Sequence, residues 1–133
     1  MGTDIHVHIE YRINGKWEHY GAPEVDRWYE LFSVMAGVRG TQTPIVEPRG
    51  FPEDASLFTA WDWEGGDGHN ASYLQDQEIV TLEEWLEERH KYLESVLNTY
   101  IGGCGLIDFL RYDDKDFVPP GTDSIRLVFW FDS

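Results

Sequence analysis

Residues 4–11 read Asp-Ile-His-Val-His-Ile-Glu-Tyr, an unbroken alternation of polar and apolar side chains. Successive side chains of a strand point to opposite faces, so the pattern predicts a strand with Ile5, Val7, Ile9 and Tyr11 turned to the core. Asp4, His6, His8 and Glu10 then share the other face, about 7 Å from one to the next. Each of these four can carry a proton or ligate a metal, which marks this side as the candidate active face. The strand also fixes its neighbour. Asn14-Gly15 separates it from a second alternating run, and a type I′ turn needs positive φ at both central positions. With Asn14 and Gly15 as the loop, Ile13 pairs Lys16, Arg12 pairs Trp17 and Glu10 pairs His19. That register adds His19 to the polar face and sets Trp17 to stack on Arg12. A slip of one residue would remove both.

The remaining chain supplies helices, loops and a further strand. Residues 25–36 carry Val25, Trp28, Tyr29, Phe32 and Met35 or Ala36 at helical spacing, with Gly37 placed for a left-handed cap. Residues 38–50 are broken by Gly40, Pro44, Pro48 and Gly50 and read as a rigid loop. Arg49, framed by Pro48 and Gly50, is presented either as a clamp on a carboxylate or as an anion-binding group. Asp54 is placed to cap a short helix through Ala60. Residues 61–73, with Gly65-Gly66-Asp67-Gly68 inside them, read as a loop with a polar tip, on which His69 is the second candidate for chemistry. Thr81-Leu82-Glu83-Glu84 has the form of a capping box. It opens the longest expected helix, whose stripe Leu82, Trp85, Leu86, Leu93, Val96, Leu97 and Tyr100 ends at Gly102-Gly103, with His90 at its edge as a packing residue. Residues 106–112 read as a strand and 113–121 as a turn-rich connection. Residues 125–131 form the most apolar strand, hence the central one. The expected fold is one α+β domain over residues 1–133, a small, mostly antiparallel sheet with an N-terminal hairpin, packed by two main helices on one side.

Charge excludes one class of partner. Among 133 residues, 10 Lys and Arg stand against 25 Asp and Glu, a formal net charge of −15. Such a field repels a phosphate backbone, so duplex nucleic acid is not an expected partner. No apolar run approaches the ~20 residues of a membrane span, and no secretory signal is visible. The single cysteine, Cys104, leaves no internal disulfide and fits a reducing compartment. The expectation is a soluble intracellular protein without membrane contact.

The polar strand face offers two chemistries. His6 and His8, with Asp4 or Glu10, could hold a divalent metal with an open position. Alternatively a histidine oriented by Asp4 or Glu10 could act as general acid or base without metal. An exposed strand face can also carry this alternation with no chemical role.

Several segments carry a resemblance. They are Met1-Gly2-Thr3-Asp4-Ile5-His6 through Glu10, Tyr29-Glu30-Leu31-Phe32 followed by Ala36-Gly37-Val38-Arg39, Pro48-Arg49-Gly50-Phe51-Pro52-Glu53-Asp54, residues 69–74, and Phe129-Trp130-Phe131-Asp132. In patches over most of the chain these resemble a family of small proteins encoded by tailed bacteriophages and prophages. The opening there typically reads Met-Gly-Cys-Asp-Ile-His, with a later Pro-Arg-Gly and a His-Ser-x-Ser-like loop. The chain departs at Thr3, where the family often has Cys, and at Asn70, where it often has Ser, and residues 75–80 look like an insertion. The resemblance implies a phage gene product acting in a bacterial cytoplasm and brings no activity with it. It favours His6 and His69, because His8 is not part of the pattern.

Three functions follow as expectations. The first is a phage accessory protein, for host takeover or counter-defence, that binds a small anionic, nucleotide-like ligand and sequesters or cleaves it. His6, His69 and Glu10 would be its catalytic groups. Asp4, Arg39, Arg49 and Ser72 would bind the ligand, the arginines holding phosphates while Trp and Tyr rings stack on the base. The second is a metal-dependent hydrolase with His6, His8 and Asp4 or Glu10 as ligands and His69 as acid or base. The third is an interaction protein without catalysis that turns its acidic surface to a basic partner.

Overall fold

The computed structural model describes residues 2–25, 27–97 and 119–132. Strand β1 (Asp4–Ile13) turns at Asn14 and Gly15, both at positive φ (54° and 78°), into β2 (Lys16–Gly21). The pairs Glu10–His19, Arg12–Trp17 and Ile13–Lys16 are those the Asn-Gly turn dictates. The chain continues through α1 (Tyr29–Ala36), α2 (Leu57–Glu64), β3 (His69–Gln75), α3 (Gln77–Leu97) and β4 (Thr122–Asp132). The strands form one antiparallel sheet in the order β2-β1-β4-β3, an α+β architecture with β4 inside it as its apolar run requires.

One face of the sheet is the main core. Ile5, Val7, Ile9 and Tyr11 from β1 and Leu127, Phe129 and Phe131 from β4 meet Leu31, Phe32 and Met35 of α1 and Leu82 and Leu86 of α3, all buried. Gly37 closes α1 in the left-handed region (φ 72°), its N–H donating to the Ser33 carbonyl at 2.7 Å. The opposite face, which carries Asp4, His6, His8 and Glu10, is covered in part by a third helix. There α2 and the chain before it lie over Val128 and Trp130, with Phe51 and Trp63 packed against them. No helix among the described residues is long and apolar enough to cross a membrane.

Four local expectations are corrected. α1 starts at Tyr29, and Val25 and Trp28 reach the same core from irregular chain. α2 starts after Ser56 and runs to Glu64, so residues 61–64 are helical, not loop. His69 opens a short edge strand supported by β4 alone, the glycines lying before it. Thr81 is no cap. α3 begins one turn earlier, and the Thr81 hydroxyl donates back to the Gln77 carbonyl at 3.1 Å, a contact made within helices. The side chains expected at His90, Leu93, Val96, Leu97 and Tyr100, the stop at Gly102-Gly103, the strand at 106–112 and most of the connection at 113–121 lie outside the described residues.

Candidate functional site

The polar face divides into a buried half and an open half. In the buried half Glu10, fully enclosed, accepts the Ser56 backbone N–H at 2.8 Å and the Arg126 Nε–H at 2.8 Å. Arg126 also reaches Asp54 at 2.9 Å and lies 4.0 Å over the Trp17 ring. Burial alone would raise the Glu10 pKa. The hydrogen bonds from Ser56 and the Arg126 guanidinium outweigh it and hold the carboxyl below the ordinary range. Glu10 thus anchors residues 54–56 and stands apart from the open half of the face.

A relay of two imidazoles and a carboxylate comes next. His8, buried, faces Asp62 of α2 through Nε2 at 2.7 Å and His19 of β2 through Nδ1 at 3.0 Å. A carboxylate only accepts, so His8 Nε2 carries the proton, and a single proton bridges Nδ1 and the His19 Nε2. Burial, then the neighbouring His8, lowers the His19 pKa. Phe58 of α2 closes over both rings, 5.9 Å from His8 and 4.5 Å from His19. Both His8 nitrogens are occupied, which makes the relay a fastening between β2, β1 and α2.

The open half is a depression of about 280 Å³. Trp130 and His6 border it on the sheet side, with Asp132 beside them. Trp61, Asp62 and the 65–68 segment form the other wall, with Asp67 among them. His6 Nε2–H donates to Asp132 at 2.5 Å, and its ring stacks on Trp130 at 5.8 Å. Gly68 is needed here. A Cβ at Gly68 would come within 2.5 Å of Trp130 Cδ1 and 2.9 Å of Trp63 Cζ3, so only a bare backbone passes over the indoles. Three carboxylates (Asp62, Asp67, Asp132), the C-terminal end of α2 and two indole rings face this space. Helix C-termini, carboxylates and ring faces all favour positive charge. The His6–Asp132 pair could orient an imidazole as general base toward water, but among the described residues no hydroxyl, thiol or amine side chain lines the depression.

The other expected site residues are elsewhere. Asp4 is exposed and paired with Arg27 at 2.7 Å, whose hydrogen bond holds the carboxyl below its usual value. Arg49 does clamp a carboxylate. It pairs with Glu78, donates to the Tyr73 carbonyl at 3.1 Å and lies over the Tyr73 ring. The buried Ser72 hydroxyl accepts the Arg49 backbone N–H at 3.0 Å. Arg39 bonds Thr3 at 2.9 Å and lies over Tyr29, against α1. His69 pairs across to Phe131, on the sheet face away from His6, and donates through Nδ1 to Asn70 at 2.6 Å. None of Arg39, Arg49, Ser72 and His69 lines the depression. The metal set fares no better. Trp130 stacks on both His6 and His8, at 5.8 and 5.1 Å, and the two imidazoles bond different carboxylates, Asp132 and Asp62. Among the described residues no three His, Cys, Asp or Glu side chains are placed to hold a metal ion.

Sequence reasoning found His6, His8 and His19 but missed Trp61, Asp62, Asp67, Trp130, Asp132 and Arg126. One signal was present. The run Val128-Phe129-Trp130-Phe131 is apolar at every position, and a strand of that kind is buried on both faces, so something had to cover the polar row. Compared with protein-family models, curated proteins and solved structures, the chain matches none.

Proposed function

We propose that the protein is a binding module, acting without catalysis, that takes a cationic side chain of a partner protein (a guanidinium or an ammonium group) into the His6 depression. One observation carries the reading: three carboxylates and two indoles converge on a space of about 280 Å³. That is at the lower edge of the ~300–1,000 Å³ of ligand pockets, enough for one side-chain terminus. An anionic, nucleotide-like ligand would meet carboxylates there and none of the expected arginines. A formal charge of −15 adds long-range attraction for a basic partner. The resemblance to tailed-phage proteins supplies the setting in which the partner is a bacterial host protein.

Fluorescence titration with acetyl-arginine amide at low salt tests this, with AMP as the rival ligand. The expected result is saturable binding of the arginine derivative, weakened by salt and by Asp67→Asn. Trp61→Ala removes a cation–π contact worth ~0.5–2 kcal/mol, so affinity falls about 2- to 30-fold. Binding of AMP in place of the arginine derivative overturns the proposal.

A further inference from the structure

α2 is inside out. Its polar Thr59 is fully buried, and Asp62 turns inward to His8. Leu57, Phe58 and Trp61, the most apolar part of the helix, are 87%, 51% and 70% exposed. At 100° per residue these three fall within one quadrant or so of the helix surface. An ordinary surface helix does the reverse, and a contiguous exposed apolar strip marks an interaction site.

We propose that Leu57, Phe58 and Trp61 are the docking strip for a basic amphipathic helix of a partner protein, which lays apolar side chains across the strip and seats one cationic side chain in the adjoining depression. The inference rests on the cation reading of that depression and names the partner's form. Trp61 belongs to both features, bordering the depression and standing 6.2 Å from Phe58 in the strip. That spacing is close to one helical turn, ~5.4 Å, so anchors one turn apart on an incoming helix match it. Charge selects among occupants. Glu53, Asp54, Glu64 and Asp67, at the two ends of α2 or just beyond them in sequence, are all exposed, and Asp67 borders the depression with Trp61. A second copy would bring another −15 against this one. Anionic lipid and nucleic acid are repelled for the same reason, whereas Lys and Arg flanking an apolar stripe complement these carboxylates.

The probe is an acetylated, amidated helix-forming peptide of about 15 residues, with Leu at i, i+3, i+4 and i+7 and Lys on the flanks. A scrambled peptide of equal composition is its control. Binding is measured by calorimetry on the intact chain and on Leu57→Gln, a change at a position 87% exposed. The patterned peptide is expected to bind at least about tenfold more tightly than the scrambled one. Leu57→Gln is expected to remove about that factor while acetyl-arginine amide binds as before. Equal affinity for both peptides, or an unchanged affinity in Leu57→Gln, overturns the docking strip and leaves the cation site standing. If neither arginine derivative nor peptide binds, the cation reading itself has failed. A dimer in sedimentation that Leu57→Gln dissolves, or Leu57-dependent binding to phosphatidylglycerol vesicles, overturns the choice of partner.

Discussion

Replacing Arg126 by Met removes the guanidinium that neutralises Glu10 while keeping an apolar stem in its place. Glu10 is 0% and Arg126 2% exposed, so the carboxylate left behind keeps the Ser56 hydrogen bond but has neither counter-charge nor water. Breaking a buried pair in this way costs about 3–5 kcal/mol, a large share of the ~5–15 kcal/mol that holds a domain together. The exposed Asp54 contact adds little. The pH dependence sharpens the test. In the parent protein the folded pKa of Glu10 lies below its unfolded value, so its contribution is present above that value, about 4.3, and is lost as pH falls through the folded pKa. Without Arg126 only the Ser56 hydrogen bonds still oppose burial, so the folded pKa of Glu10 moves up from its parent value. Arg126→Met should therefore lose less stability than the parent as pH falls from about 5 to about 3, across the ordinary Glu range. Urea denaturation followed by tryptophan fluorescence at the two pH values reads both effects. The double variant Glu10→Gln, Arg126→Met should recover most of the loss, because no buried charge remains. A single variant within about 1 kcal/mol of the parent, with the same pH slope, would refute the reasoning.

Further outcomes follow from the same face of the sheet. Gly68→Ala places a Cβ inside contact distance of two indoles and should cost about 1–3 kcal/mol, with a changed near-UV circular dichroism spectrum. A parent-like spectrum and stability would contradict the placement of that segment. Gly15→Ala puts a side chain at φ 78° and should cost ~1–2 kcal/mol in urea denaturation, while leaving binding of acetyl-arginine amide unchanged. The folded pKa of His19 is depressed, so its share of stability is complete above the unfolded value of about 6.5 and declines as pH drops through the interval down to the folded one. His19→Phe should flatten the stability profile in that interval, and an unaltered profile would mean that His19 is not held against His8.

What the sequence reveals depends on how local the cause is. The hairpin register was readable because positive φ at Asn14 and Gly15 determines it within two residues. The core face was readable because Ile5, Val7, Ile9 and Tyr11 obey a period of two. Thr81 misled because a hydroxyl near a helix start can bond outward as a cap or backward to position i−4, and the pattern of four residues does not distinguish them. The site itself is non-local. Asp62, Trp130 and Asp132 become its walls only once α2 crosses the polar face, and α2 does so with Leu57, Phe58 and Trp61 outward, where periodicity would have turned them in. Arg49 was legible as a clamp from its Pro-Gly frame, but its partner Glu78 was not.

The claim on which the rest depends is that the hollow beside His6 receives positive charge. Nuclear magnetic resonance titration of the labelled protein with acetyl-arginine amide addresses it at atomic positions. The expected result is saturable movement of the Gly66 and Gly68 amides and the Trp61 indole N–H, with Arg39 and Arg49 unmoved. Movement of those same signals by AMP, with none by the arginine derivative, would contradict the account.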